Sequence, residues 1–309
     1  MDFLSIKEKG RKIEKYCGTE FNSYTSTTYK VILKFKSNKK RNSIGFSCQY
    51  SLIILNGGST SEIVSKAENA YSSGTCKSGQ TGSCGCSTTD IKDSDYGEKV
   101  IGNIRLVATT GIPNHKFETD AENPNPNKAC KHEVYMAVPK DPVKGSTYRE
   151  YGMGPVGIAL SGGFIYNHLA SPQGDTAVDR ERDSFDSCNG HSDPHCRYHY
   201  HMIPVCINNG KNCSNVGYMK DGFPVRSFCS HPNDSSRSLK SCYKLNGSGN
   251  GSHKNHYSFD KDDLDNGLCD LDEANGYDFS DGYAYVFTEN YPFVMAGYFG
   301  TQAANICGI

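Results

Sequence analysis

The chain has no tryptophan, almost no net charge and no long apolar run. A formal charge of -1 with acids and bases intermixed gives no electrostatic footprint for nucleic acid or an anionic membrane surface. No stretch reaches the roughly 20 apolar residues that a membrane-spanning helix needs. The Gly-x-Ser-x-Gly elbow of serine hydrolases is missing, as are the Gly-rich loops that cradle phosphates. There is no pair of Cys-x-x-Cys knuckles either. Cys84-Gly85-Cys86 is spaced differently, which argues against a thiolate zinc site.

What is abundant is tyrosine, glycine and cysteine. Twenty Tyr and 32 Gly with 12 Pro favour strands joined by many turns over a helical bundle. We therefore expect a mainly β fold with few short helices. The 14 cysteines are an even number spread over turn-rich sequence, which reads as disulfides in an oxidising compartment. The expected location is extracellular, with the signal segment absent from the numbered chain, because Met1 to Gly10 has no hydrophobic signal region. Asn-x-Ser sequons at Asn212, Asn233, Asn246 and Asn250 agree with secretion and mark candidate N-glycan sites.

Along the chain, residues 1–24 read as a loose arm or short helix. Tyr29, Val31, Leu33 and Phe35 alternate with lysines, and Phe46, Cys48, Tyr50, Leu52 and Ile54 form a second alternating run. Together they read as a hairpin. Ser59 to Glu62 fits a capping box opening a helix to about Ser72. The Cys-rich loop that follows, pinned by Cys76, Cys84 and Cys86, marks a boundary. This gives an arm 1–24, a hairpin, helix and loop over 25–98, and a domain 99–309. Strands are expected at Val100 to Ala108 and Val134 to Val138. The arm and the strand after it are candidates for self-association. An exposed edge can accept a neighbour's strand, and head-to-tail addition builds a fibre.

Within the last domain a weak internal repeat joins about 156–206 to about 216–300. Val156 to Phe164 corresponds to Val216 to Pro224. Phe185 to Gly190 corresponds to Leu271 to Gly276, and Tyr198 to His201 to Tyr283 to Val286. The expectation is two β units about a pseudo-twofold axis, stapled by disulfides. The copies differ where chemistry would sit: Cys188 matches Ala274, and His199 and His201 match Ala284 and Val286.

Histidine is concentrated between Asp186 and Cys206. On a strand, His199 and His201 share one face and Tyr198 and Tyr200 the other. Two imidazoles on one face, joined by His191 and by His115 and Asp186 from nearby loops, make a candidate metal site. Zinc or copper suits these donors ahead of calcium. The rival is a buried His/Tyr/Asp hydrogen-bond network. A second candidate is an acidic stretch in which Asp262, Asn266 and Glu273 fall at calcium-loop positions, with Leu264 where an oxygen ligand is expected. No catalytic residue is assigned. The protein reads as structural or binding, with a metal-dependent hydrolytic or oxidative enzyme as the alternative.

Asp-x-Cys-x-Gly-His, then Tyr-His-Tyr-His, Pro204 and Cys206 resemble the YHYH domain family. Flanking matches are Gly111 to His115, Gly157 to Gly162 and Asp221 to Pro224. The resemblance covers about residues 100–309. It implies a fold and a site in mostly extracellular proteins, with no reaction attached, and a disulfide frame joining Cys188 to Cys196 or Cys206.

Overall fold

The computed structural model describes the backbone of strands Phe3–Glu8, Glu14–Cys17 and Val31–Lys36, and residues 61–74, 76, 91–117, 125–210, 212–247, 249–301 and 304–308. The chain divides into two compact units, Met1–Thr60 and Ser61–Ile309. In the first, Phe3–Glu8 lies between Glu14–Cys17 and Val31–Lys36, antiparallel to both. The expected arm therefore contains two strands. The short alternation of Leu4 and Ile6 with Ser5 and Lys7 is enough to form one when a partner is present. That partner is Val31–Lys36, whose register runs from Phe3 opposite Lys36 to Glu8 opposite Val31. The expected second hairpin strand, Phe46 to Ile54, lies outside the described residues, as does most of the Cys-rich loop.

The second unit begins with helix Glu62–Ser72. Its N-cap is Ser61, whose hydroxyl accepts the N–H of Val64 at 3.4 Å. Ile63, Val64 and Ala67, spaced to share one helical face, pack on Leu106, Ala108 and Tyr135. The helix packs on the sheet beneath it, within the second unit. That sheet is antiparallel, in the order Ile306–Cys307, Val134–Pro139, Ile104–Thr109, Tyr96–Ile101. The strand expected at Val100 to Ala108 is a hairpin instead. Gly102, at φ +58°, takes the left-handed conformation that turns the chain. Cys76–Cys307 ties the loop after the helix to the C-terminal strand.

The other main sheet has eight strands and positions the site. Its order is Gly190–Ser192, Tyr198–Tyr200, Phe164–Tyr166, Pro155–Ala159, Asn215–Met219, Pro224–Arg226, Gly282–Val286, Gly276–Phe279. The pairing pattern reads alike from either edge. The two central strands are antiparallel, each half then contains one parallel pair, and each edge strand is antiparallel.

The correspondence extends to hydrogen bonds. Asp186 Oδ1 accepts the N–H groups of Cys188 and Gly190, and Asp272 Oδ1 accepts those of Ala274 and Gly276. Tyr198 Oη donates to Asp186 at 2.8 Å, and Tyr283 Oη donates to Asp272 at 2.9 Å. Asn189 and Asn275 hold the same turn at φ 64° and 61°, a conformation Asn tolerates. Gly190 and Gly276 follow because the tyrosine hydroxyl occupies the space a Cβ would take.

Tyr198, Tyr200 and Tyr285 are fully buried in the core with Ile165, Val225 and Met219. Each hydroxyl has a partner there, since an orphaned one would cost about 1–3 kcal/mol. Disulfides Cys188–Cys206, Cys213–Cys229 and Cys242–Cys269 staple the loops around this sheet. Cys130 and Cys196 are also disulfide-bonded. Of the two partners considered for Cys188, it is therefore Cys206 that is taken.

Candidate metal centre

The edge of the eight-stranded sheet brings three histidines together. His191 on strand Gly190–Ser192 lies directly opposite His199 on Tyr198–Tyr200. Cross-strand neighbours of this kind share a face. His201, two residues beyond His199, returns to it. One ring nitrogen from each of the three lies within 4.8 Å of the others, and the residues are only 6%, 2% and 2% exposed. Phe185 packs edge-on to His191, and Tyr166 stacks on His199 with ring centres 3.8 Å apart.

The outer nitrogen of each ring is anchored. His199 Nδ1 lies 2.9 Å from the carbonyl of Arg197, and His201 Nδ1 lies 2.6 Å from that of Asn167. Carbonyl oxygens only accept, so both Nδ1 atoms carry the proton. Ser184 Oγ donates to the carbonyl of Glu181 at 2.6 Å and so accepts from His191 Nδ1 at 2.7 Å. Burial pushes His191 down to about 3, His201 to about 4 and His199 well below its ordinary value. All three rings are therefore neutral at pH 7, and all three Nε2 atoms present bare lone pairs.

Two of these lone pairs face each other. His199 Nε2 and His201 Nε2 are 3.0 Å apart, and buried His191 Nε2 has no hydrogen-bond partner. Without a proton between them the nitrogens repel; a cation between them makes the arrangement attractive. Tetrahedral ligands on bonds of ~2.0–2.1 Å would be about 3.3 Å apart. Backbone carbonyls on the outer nitrogens are the usual means of orienting metal-binding imidazoles.

Glu181, which the sequence reading missed, completes the surroundings. Its Oε2 lies 3.5 Å from His201 Nε2 and 3.7 Å from His191 Nε2. Burial raises this carboxyl to about 7. The pattern of one carboxylate in a charged stretch, Asp179-Arg180-Glu181-Arg182-Asp183, held no signal that Glu181 alone turns inward. Tyr166 is locked above His199 by its hydroxyl, which donates to Asp193 at 2.7 Å. Burial would raise Asp193, but Arg197 and Tyr166 hold its carboxyl below the ordinary value.

Two residues assigned to the site from sequence lie elsewhere. Asp186 is the cap of the Cys188–Gly190 turn and the partner of Tyr198. His115 accepts from Tyr200 Oη at 2.5 Å and rests on the Tyr198 and Tyr200 rings. Strand alternation sends those tyrosines to the face opposite His199 and His201, so both partners go with them. His115 does fall near Cys188 and Cys206, but these sulfurs are joined in a disulfide and offer no thiolate.

In the acidic stretch a short helix stands where the calcium-loop pattern begins. Asp262 lies in the short helix Lys261–Asp265, Asn266 Nδ2 donates to the Asp262 carbonyl, and the Glu273 carbonyl accepts from Tyr243. Among the described residues neither Asp262 nor Glu273 belongs to a group of three or more His, Cys, Asp or Glu side chains close enough to share an ion. Asn212, Asn233, Asn246 and Asn250 are all exposed.

Among the described residues no helix is long and apolar enough to cross a membrane. No curated protein and no solved structure matches the sequence. The Asp-x-Cys-x-Gly-His turn and the Tyr-His-Tyr-His strand lie within residues 135–300, which match the YHYH protein family; with more than half of its 309 residues so matched, the chain belongs to that family.

Proposed function

We propose that this is an extracellular, disulfide-stapled binding or structural protein that holds one transition-metal ion through His191, His199 and His201. The observation that supports the ion is the convergence of three bare Nε2 lone pairs in a dry setting. Imidazole donors suit zinc or copper. The disulfides support the extracellular setting, since such bonds do not persist in a reducing cytosol.

N-linked glycans at the exposed Asn212, Asn233, Asn246 and Asn250 belong to the same reading. So does self-association into a fibre through the N-terminal unit. Among the described residues, Glu14–Cys17 and Val31–Lys36 are the edges of its sheet, and an edge can add a neighbour's strand.

Elemental analysis of native protein purified without chelator tests the ion directly. One equivalent of zinc or copper per chain is expected. His199→Ala should release it and lower the melting temperature in the same step. A variant that keeps its full metal content would sink the assignment. The competing reading is a metal-dependent enzyme. It is favoured by one observation, a carboxyl near pH 7 beside the rings, as a general base requires. One cavity is lined by Phe228, Leu239, Lys240, Thr288 and Asn290, away from the histidines.

A further inference from the structure

We propose that Glu181 is the fourth protein ligand of the centre, so that three imidazoles and one carboxylate close the shell around the ion. The inference rests on metal binding by the three histidines and adds what occupies the remaining position. Its consequence is chemical. A four-coordinate ion with four protein ligands is a structural centre, whereas a catalytic one keeps a position for water or substrate.

The geometry supplies the first support. Oε2 stands 3.5 Å and 3.7 Å from the bare nitrogens of His201 and His191. These are close to the spacing of about 3.3 Å between tetrahedral ligands on bonds of ~2.0–2.1 Å. A carboxylate facing two lone pairs is repulsive on its own. A cation bonded to all three groups removes the repulsion. It also leaves a buried complex of one net positive charge where three neutral imidazoles alone would leave two, which lessens the cost of burying it.

The second support is how Glu181 is held. Helix Ala177–Glu181 runs directly into the turn Arg182–Ser184. Ser184 Oγ bonds both the Glu181 carbonyl and His191 Nδ1. One short segment therefore carries the carboxylate and orients one of the imidazoles. Such outer partners are what fix a metal ligand's orientation. Phe185, the next residue, packs on His191 and His201. The segment 177–185 acts as a strap that the ion fastens to the sheet edge.

The third support is access. The Glu181 side chain is 30% exposed, against 7% and 3% for those of His191 and His201. It stands on the solvent side of the group, where the last ligand to close must be. Three nitrogen donors and one carboxylate oxygen suit zinc, and Co²⁺ reports a tetrahedral zinc site optically.

The test uses full-length, chelator-stripped protein titrated with Co²⁺ alone, as wild type, Glu181→Gln and Glu181→Ala. Wild type should take up one Co²⁺ with intense tetrahedral absorption bands that azide leaves unchanged. Both variants should bind more weakly, by more than the 10–100-fold typical of losing an outer partner. Azide should now shift their spectra by entering the vacated position. Variants that match wild type in affinity and spectrum would overturn the proposal, as would an azide shift in wild type. The azide response of wild type decides the matter even if a variant misfolds. Failure of wild type to bind Co²⁺ at all would overturn the three-histidine reading along with this one, so the two failures are distinguishable.

Discussion

Acidification of the metal-free protein should destabilise it steeply between about pH 6 and pH 5, and the slope follows from named groups. His168 and His191 are held down to about 3 and His201 to about 4, and His199 lies well below its ordinary value, all chiefly by burial. At pH 5.5 these four rings are neutral when folded and protonated when unfolded, so unfolding takes up about four protons. Two carboxyls oppose this. Burial raises Glu181 to about 7 and Asp221 to about 6, so each holds a proton in the fold that it loses on unfolding. The smaller shifts of His115 and His132 downward and of Asp272 and Glu273 upward work against one another.

About two protons remain in favour of the unfolded chain. Stability rises with pH wherever the unfolded state binds more protons. It should thus be present in full above the ordinary histidine range and fall by about 2.7 kcal/mol per pH unit near pH 5.5. That is a large fraction of the roughly 5–15 kcal/mol that holds a domain folded. Urea unfolding at pH 7, 6 and 5, followed through tyrosine because the chain has no tryptophan, measures the slope. Glu181→Gln removes one opposing proton and should steepen the slope to about 4 kcal/mol per unit. Stability that is flat or rises between pH 6 and pH 5 would refute the burial of neutral imidazoles.

The disulfides should differ in worth by the loops they close. Chain entropy gives about 3 kcal/mol for Cys188–Cys206 and about 5.5 kcal/mol for Cys76–Cys307, from separations of 18 and 231 residues. Paired Cys→Ser variants compared by denaturant midpoint test the order, and a larger loss at Cys188–Cys206 would contradict it. Gly190→Ala should cost about 1–3 kcal/mol because its methyl group meets the Tyr198 hydroxyl, with Gly276→Ala matching it against Tyr283. Unchanged thermal melting in either variant would show that the turns do not need that approach. Residues 61–309, as the second compact unit, should fold alone and remain monomeric by light scattering while the full chain assembles. Equal monomeric mass for both would remove the assembly reading.

The β-rich class, the repeat correspondence and the His199/His201 pair were legible in the sequence because each rests on local period or direct similarity. Alternation in Tyr198 to His201 separates imidazoles from phenols whatever the rest of the chain does. The Asp-x-x-Asn-Gly segments at Asp186 and Asp272 were visible as matching parts of the repeat, whereas their role as backbone caps came only from the fold. Which groups meet across the fold was not legible. His191 joins the pair only because the register sets it opposite His199. Asp186 and His115 leave it because the tyrosines carry them to the other face. That the apolar stripe of the helix at Glu62 would pack on Leu106 and Ala108 was likewise not written locally. Glu181 is the clearest case. In a run of alternating charges nothing local distinguishes it, and its role arises from one helical turn placing Oε2 against two bare nitrogens. Period-two and turn chemistry act within a few residues and so are written in order along the chain. Ligand geometry depends on strands far apart in sequence, and only the packed sheet brings it about.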